Sequence, residues 1–153
     1  MPFLIDGHNL IPHMGLRLDS LDDELQLIHI LQEYSRLSRN QVEVYFDNAQ
    51  TGQPARQKFG MVTAHFVRRP HIADEAIRQR IVKLAGAAKN WMVVSSDRHV
   101  QAEARTSKAR VISSDEFAQQ VKLTLHNKPT SSGNEELSEK DVQEWLDLFG
   151  NHH

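Results

Sequence analysis

A chain of 153 residues, 39% hydrophobic and 25% charged, is long enough for one domain with a sizeable core, and it contains no apolar run of membrane-spanning length. It has no cysteine, which excludes disulfides and thiolate metal sites and suits a reducing compartment. A formal charge of −2 excludes bulk attraction to polyanions as the basis of function, and the opening Met-Pro-Phe-Leu-Ile-Asp lacks the basic flank and length of a signal peptide, so a cytoplasmic protein is expected.

The first element is a buried strand, the apolar run from Met1 to Ile5 interrupted only by Pro2, which delivers Asp6 onto the turn Gly7-His8-Asn9. Asp19 or Ser20 caps the next element, a helix with Leu21, Leu25, Ile28, Leu31 and Leu37 on one stripe. A second strand, Val42–Phe46, ends in Asp47. The polar stretch 48–54 reads as a loop, and 55–59 has no assignable period. Residues 61–67 form a third strand, closed by Pro70. The spacing of Ile72, Ala76, Ile77, Ile81, Leu84, Ala85 and Ala88 predicts a helix over 72–89, with Asp74 and Glu75 in its first turn. Strand four, 91–94, leads through Ser95 and Ser96 to Asp97. A helix over 98–108, a short fifth strand over 109–112 and a helix capped by Ser113 or Ser114 complete the alternation.

Such alternation predicts an α/β fold, a mainly parallel five-stranded sheet with helices on both faces, because parallel neighbours need crossover connections. Residues 1–126 form the domain and 127–136 a linker. The stretch 137–150 reads as a last helix, whose Val142, Trp145, Leu146 and Phe149 dock it back on the domain.

Three strands end in acids. In open α/β sheets the working groups lie beyond the carboxyl ends of the strands, and like charges gathered there are costly unless a cation or proton neutralises them. Asp6, Asp47 and Asp97 therefore ask for a divalent metal. Asp6 stands out, because nothing in sheet formation requires an acid at that point. Asp74 and Glu75 also suit a helix dipole, Asp97 a helix cap, and Asp47-Asn48 a turn, which is the reading favoured for Asp47.

Leu4-Ile5-Asp6-Gly7-His8-Asn9-Leu10-Ile11, Val44-Tyr45-Phe46-Asp47, Ile72-Ala73-Asp74-Glu75-Ala76-Ile77 and Val93-Val94-Ser95-Ser96-Asp97-Arg98 resemble, in this order, the NYN domains of the YacP-like group within the PIN-like nuclease superfamily. The resemblance spans roughly residues 3–126 and extends to Leu-Ser-Glu-Lys-Asp-Val-Gln-Glu-Trp-Leu near the C-terminus. It implies an acidic Mg²⁺ or Mn²⁺ pocket and endonucleolytic cleavage of RNA. Carried over by position, it makes Asp6, Asp74 and Asp97 the catalytic and metal-binding acids, with Asn9 as the polar residue after the first acid. His8 stands where the group often has Asn or Tyr, and Glu75 where another acid, usually Asp, is found.

The chemistry of such a pocket follows from the donor types. Mg²⁺ and Mn²⁺ are hard ions that take oxygen ligands, keep several waters and use one or two carboxylates directly. Asp6 and Asp97 are the expected ligands, directly or through water. Asp74, with Glu75 beside it, either ligates or orients the attacking water. Asn9, Asp47, Ser95 and Ser96 are expected to orient ligands or substrate oxygens. His8 contacts substrate, moves a proton or fills a turn. Arg68, Arg69 and Arg98 flank the acids and are assigned to RNA phosphates, while Arg56, Lys58, Arg105 and Lys108 read as solvated surface. A catalytically inactive RNA-binding or protein-interaction module is the alternative. A haloacid dehalogenase-like phosphatase expects a second Asp where His8 stands and is weaker, and no Gly-rich loop supports nucleotide binding.

Overall fold

The computed structural model describes residues 1–16, 21–47, 49 and 54–127. The proposed caps Asp19 and Ser20, and the C-terminal helix over 137–150, lie outside the described residues. Among the described residues six strands form one sheet: β1 (Phe3–Asp6), β2 (Val42–Phe46), β3 (Arg56–Phe59), β4 (Val62–Phe66), β5 (Met92–Val94) and β6 (Arg110–Ile112). Their order is β3-β4-β2-β1-β5-β6, and every neighbouring pair is parallel except β3 with β4. The α/β class is as expected, but the strand count is six rather than five. The added strand is the unassigned 55–59 segment. Its Arg-Gln-Lys run is exposed on an edge and so carries no apolar alternation. Gly60, at φ +63°, joins it to β4 through a two-residue hairpin turn that a side-chain-bearing residue would enter less easily.

Helices cover both faces. On one side α2 (Leu21–Ser38) and α5 (Ser114–His126) pack on Phe3, Ile5, Val44, Phe46 and Ala64, burying Tyr34, Leu31 and Phe117. On the other, α3 (Ala73–Leu84) and α4 (Arg98–Thr106) bury Ile77, Ile81, Val100 and Ala104 against Leu4, Tyr45 and Val93. Alternate residues of each strand thus feed separate cores, as a strand's period of two requires. The helix predicted over 72–89 is shorter: α3 stops at Leu84, where Ala85 adopts φ +49°, and a 3₁₀ turn, Ala85–Asn90, leads into β5. Ser113 caps α5 by accepting the Glu116 amide proton at 3.2 Å.

This order fixes where a site can form. From the central β1 the chain goes to β2 and β4 on one side and later returns to β5 and β6 on the other. The loops after β1 and β5 therefore diverge and leave a crevice at the carboxyl edge, the switch point at which open α/β sheets bind ligands.

Candidate active site

Asp6 is the last residue of β1 and is buried, with 9% of its surface exposed. The next turn, α1 (Gly7–Leu10), brings His8 and Asn9 into the crevice. On the neighbouring strand Ser95 follows Val94, which pairs with Ile5, so Ser95 stands level with Asp6. Its hydroxyl donates to Asp6 Oδ2 at 3.5 Å and accepts the Asp97 amide proton at 3.0 Å. One buried hydroxyl thereby links two of the acids.

Asn9 ties together three segments. Its Oδ1 accepts the Ser96 amide proton at 2.8 Å and the Ser114 hydroxyl proton at 2.6 Å, while Ser96 Oγ accepts the Ser114 amide proton at 3.1 Å. The ends of β1 and β5 and the start of α5 are thus fixed to one another. Asp97 caps α4, its Oδ1 accepting the amide protons of His99 at 2.8 Å and Val100 at 3.1 Å. The capping use of this residue is real, and it holds the carboxylate at the mouth of the crevice.

Asp47 is more than a turn residue. Its Oδ1 accepts the amide proton of Ala73, so the end of β2 caps the helix that carries Asp74. The Asp47 amide donates to His8 Nδ1 at 3.2 Å. The neutral ring therefore carries its proton on Nε2, which faces Glu24 Oε2 at 2.5 Å. Glu24, on α2 and only 9% exposed, is a buried partner that sequence reasoning missed. Its place in the first turn of α2 is explained by the helix dipole alone, which hides the contact.

The electrostatics show that these groups share one field. Burial pushes the Asp6 carboxyl up to about 6, the charges of Asp47 and Asp97 push the same way, and the Asn9 amide and His8 oppose them. Burial also raises Asp74, together with the charges of Asp97 and Asp47, against Arg78 and His99. For His8, burial disfavours the charged ring, but the Glu24 hydrogen bond and the charges of Glu24, Asp47 and Asp6 outweigh it and raise its pKa. The charges of Asp47 and Asp97 thus disfavour the ionised forms of both Asp6 and Asp74, the condition that a bound cation relieves.

Asp74, Asp97 and His99 each offer a ligand atom, all within 4.8 Å of one another. Asp74 Oδ1 is buried without a hydrogen-bond partner, and its Oδ2 lies 3.7 Å from Arg78. A buried acceptor left unsatisfied is costly, and a trio of two carboxylates and an imidazole is a donor set a divalent ion accepts. The residues present fit such an ion. Asp6 is not one of the trio; it feels the charge of Asp97 and shares the Ser95 hydroxyl with the Asp97 backbone. His99 was not among the residues singled out from the sequence.

A family model for the YacP-like NYN domain matches residues 3–148. The chain belongs to the YacP-like NYN domain family. Members of the NYN family are generally nucleases. A crystal structure of Rae1 (YacP) from Bacillus subtilis is similar to this NYN domain with a TM-score of 0.64 and 22% identity, over 96% of this chain and 82% of that one. A single-substitution variant of the same protein gives a TM-score of 0.65 and 26% identity, over 97% and 92%. No curated protein sequence matches. Among the described residues no helix of this NYN domain is long and apolar enough to cross a membrane.

The remaining predicted site residues of the NYN domain lie on α3, at the start of α4 and on the loop after β4. Glu75, beside Asp74, turns to His71 Nδ1 at 3.7 Å and is half exposed. Arg98 is exposed at the first position of α4, directly after Asp97, and Arg68 and Arg69 are exposed on the loop after β4. That loop is tied to the end of β2, where Val67 N–H donates to Phe46 O at 2.8 Å and Ala49 N–H to Val67 O at 3.1 Å.

Proposed function

We propose that this protein is a divalent-metal-dependent endoribonuclease, using Mg²⁺ or Mn²⁺ held by Asp6, Asp74 and Asp97. The observation that supports the reading is that the charges of Asp47 and Asp97, at strand ends beside the switch point of the sheet, act on both Asp6, which burial pushes up to about 6, and Asp74, whose ligand oxygen lies within 4.8 Å of one from Asp97. When bound, the ion would supply a water-derived nucleophile at neutral pH and neutralise charge on the phosphoryl oxygens.

The chain's own residues do the rest. Ser95 holds Asp6 and the Asp97 backbone in register, and Asn9 locks the loops that carry them. Asp47 fixes the start of α3 and hence Asp74. Carboxylates held this way need little rearrangement on binding an ion, the condition under which supporting hydrogen bonds matter most for a metal site. Arg68, Arg69 and Arg98 supply the positive charge an RNA backbone needs to approach an acidic crevice. Membership of a nuclease family supports the reading.

The test is cleavage of a labelled single-stranded RNA with internal sites, with Mg²⁺ or Mn²⁺ and with a chelator. The wild type should cut only with metal, and Asp6→Asn and Asp97→Asn should lose at least 100-fold in rate, about 2.7 kcal/mol in barrier. RNA binding without metal-dependent cleavage would instead identify a module that keeps the fold and has lost the reaction.

A further inference from the structure

We propose that His99 is a ligand of the metal site and shifts its preference from Mg²⁺ toward first-row transition ions such as Mn²⁺. The inference rests on the metal-dependent reading above and adds a nitrogen donor to an otherwise all-oxygen set. His99 lies in the first turn of α4, and its amide is fixed by the Asp97 carboxylate at 2.8 Å. The backbone is thus held next to the acid with which the ring would share an ion.

The ring is close enough to serve. A ring nitrogen lies within 4.8 Å of the ligand oxygens of both Asp74 and Asp97, and Nδ1 is 4.0 Å from Asp97 Oδ1. Ligand atoms about 2.1 Å from one ion lie about 3.0 Å apart when adjacent and about 4.2 Å when opposite, so a shift on the order of 1 Å, which rotation of the exposed His99 ring supplies, closes the set. The His99 side chain is 82% exposed, and turning it toward an ion displaces no packed group. Asp74 Oδ1, buried and without a partner, gives the pocket an acceptor that the protein leaves unfilled.

The chemical consequence is selectivity. Mg²⁺ binds oxygen, keeps its water and demands near-ideal octahedral geometry, so an imidazole adds little to its affinity. Mn²⁺ also prefers oxygen but, being a first-row transition ion with a less exacting geometry than Mg²⁺, accepts one imidazole nitrogen beside carboxylates, and a neutral ring supplies it without adding a further negative charge to a pocket already rich in carboxylates. The site should therefore discriminate through His99 while drawing most of its affinity from the acids.

The test uses the full chain with Mn²⁺ and Mg²⁺ as probes, read by calorimetric titration and by pulsed electron paramagnetic resonance of the Mn²⁺ complex. The wild type should show nitrogen modulation from one imidazole, and His99→Ala should lose that signal. The variant should bind Mn²⁺ about 10-fold more weakly, with Mg²⁺ affinity unchanged within about twofold. Absence of nitrogen coupling in the wild type, its persistence in His99→Ala or an undiminished Mn²⁺/Mg²⁺ ratio overturns the assignment. Asp97→Asn, which keeps an oxygen to cap α4, separates the two levels of the argument. If Asp97→Asn weakens Mn²⁺ binding while His99→Ala changes nothing, His99 alone is excluded; if Asp97→Asn also changes nothing, the metal site itself fails.

Discussion

Asp47 accepts the amide proton of Ala73, 26 positions further along the chain, so a strand-end carboxylate caps the helix that begins one residue before Asp74. Ile72, the residue in the N-cap position of α3, has an apolar side chain and makes no capping bond; the cap comes from another element. Asp47→Ala should remove it at a cost of about 1 kcal/mol, or roughly 2–4 °C in melting temperature for a chain of this size. Asp47→Asn keeps an acceptor and should melt close to the wild type. Thermal melts of both variants check this: equal loss in the two would mean that the charge, and not the cap, stabilises the junction.

Gly7 allows a similarly close approach. A β-carbon there would stand 2.6 Å from Phe46 Cδ1 and 2.8 Å from the Tyr45 carbonyl oxygen, so the turn carrying His8 and Asn9 lies against β2 only because position 7 has no side chain. Gly7→Ala forces apart a contact between backbone and a packed ring, an overpacking that costs about 1–3 kcal/mol. The same displacement moves Asn9 away from Ser96 and Ser114. Urea unfolding should show the loss of stability, and metal-dependent cleavage should fall with it; an unchanged midpoint would show that the turn shifts freely.

The strands and acids that could be read from the sequence are those whose local pattern and tertiary role coincide. β1, β2 and β5 are buried in the middle of the sheet and so appear as apolar runs, and an acid following such a run is conspicuous. β3 was not recognisable because Arg56, Gln57 and Lys58 are exposed on an edge, where pairing depends on β4 and not on their own hydrophobicity. The end of α3 depends on Ala85 at a positive φ of +49°, which no side-chain preference announces. Asp47, Glu24 and His99 each have an adequate local explanation, as turn, dipole and first-turn residue. Their contacts with Ala73, His8 and Asp74 join distant segments and become visible only in three dimensions.

Away from the crevice, Glu43 lies under α3 and pairs with Arg80, whose Nε and Nη2 donate at 3.0 and 2.8 Å, while the guanidinium stacks over Trp91 at 5.2 Å. Burial raises the Glu43 carboxyl, but His65 and Arg80 outweigh it and hold the group down at about 2, against an ordinary 4.5. A folded-state pKa depressed in this way contributes stability that is fully present above about 4.5 and lost as pH falls toward 2. Allowing for the partly exposed Arg80, the contribution is on the order of 1–2 kcal/mol. Unfolding free energies at pH 6 and pH 3 should therefore converge between wild type and Glu43→Gln as the pH drops, with the variant weaker at pH 6. A constant difference between them would deny the ionised pair its role.

Asp6 carries the opposite sign. Its folded-state pKa, pushed up to about 6 from 3.8 by burial and by Asp47 and Asp97, means that ionising it at neutral pH costs the metal-free fold on the order of 2 kcal/mol. That penalty is absent below about pH 3.8 and grows as pH rises through 6. Asp6→Asn removes the charge, so the metal-free variant should melt above the wild type at pH 7.5, with the gap closing by pH 4. A cation neutralising the cluster acts in the same direction, and saturating Mn²⁺ should raise the wild-type melting temperature because it binds only the folded state. In Asp6→Asn that rise should shrink, since one acid and its repulsion are already gone. Melts at the two pH values, with and without Mn²⁺, check all three outcomes: a variant less stable than wild type at pH 7.5, or a wild type indifferent to Mn²⁺, would mean that these carboxylates do not repel one another in the folded protein.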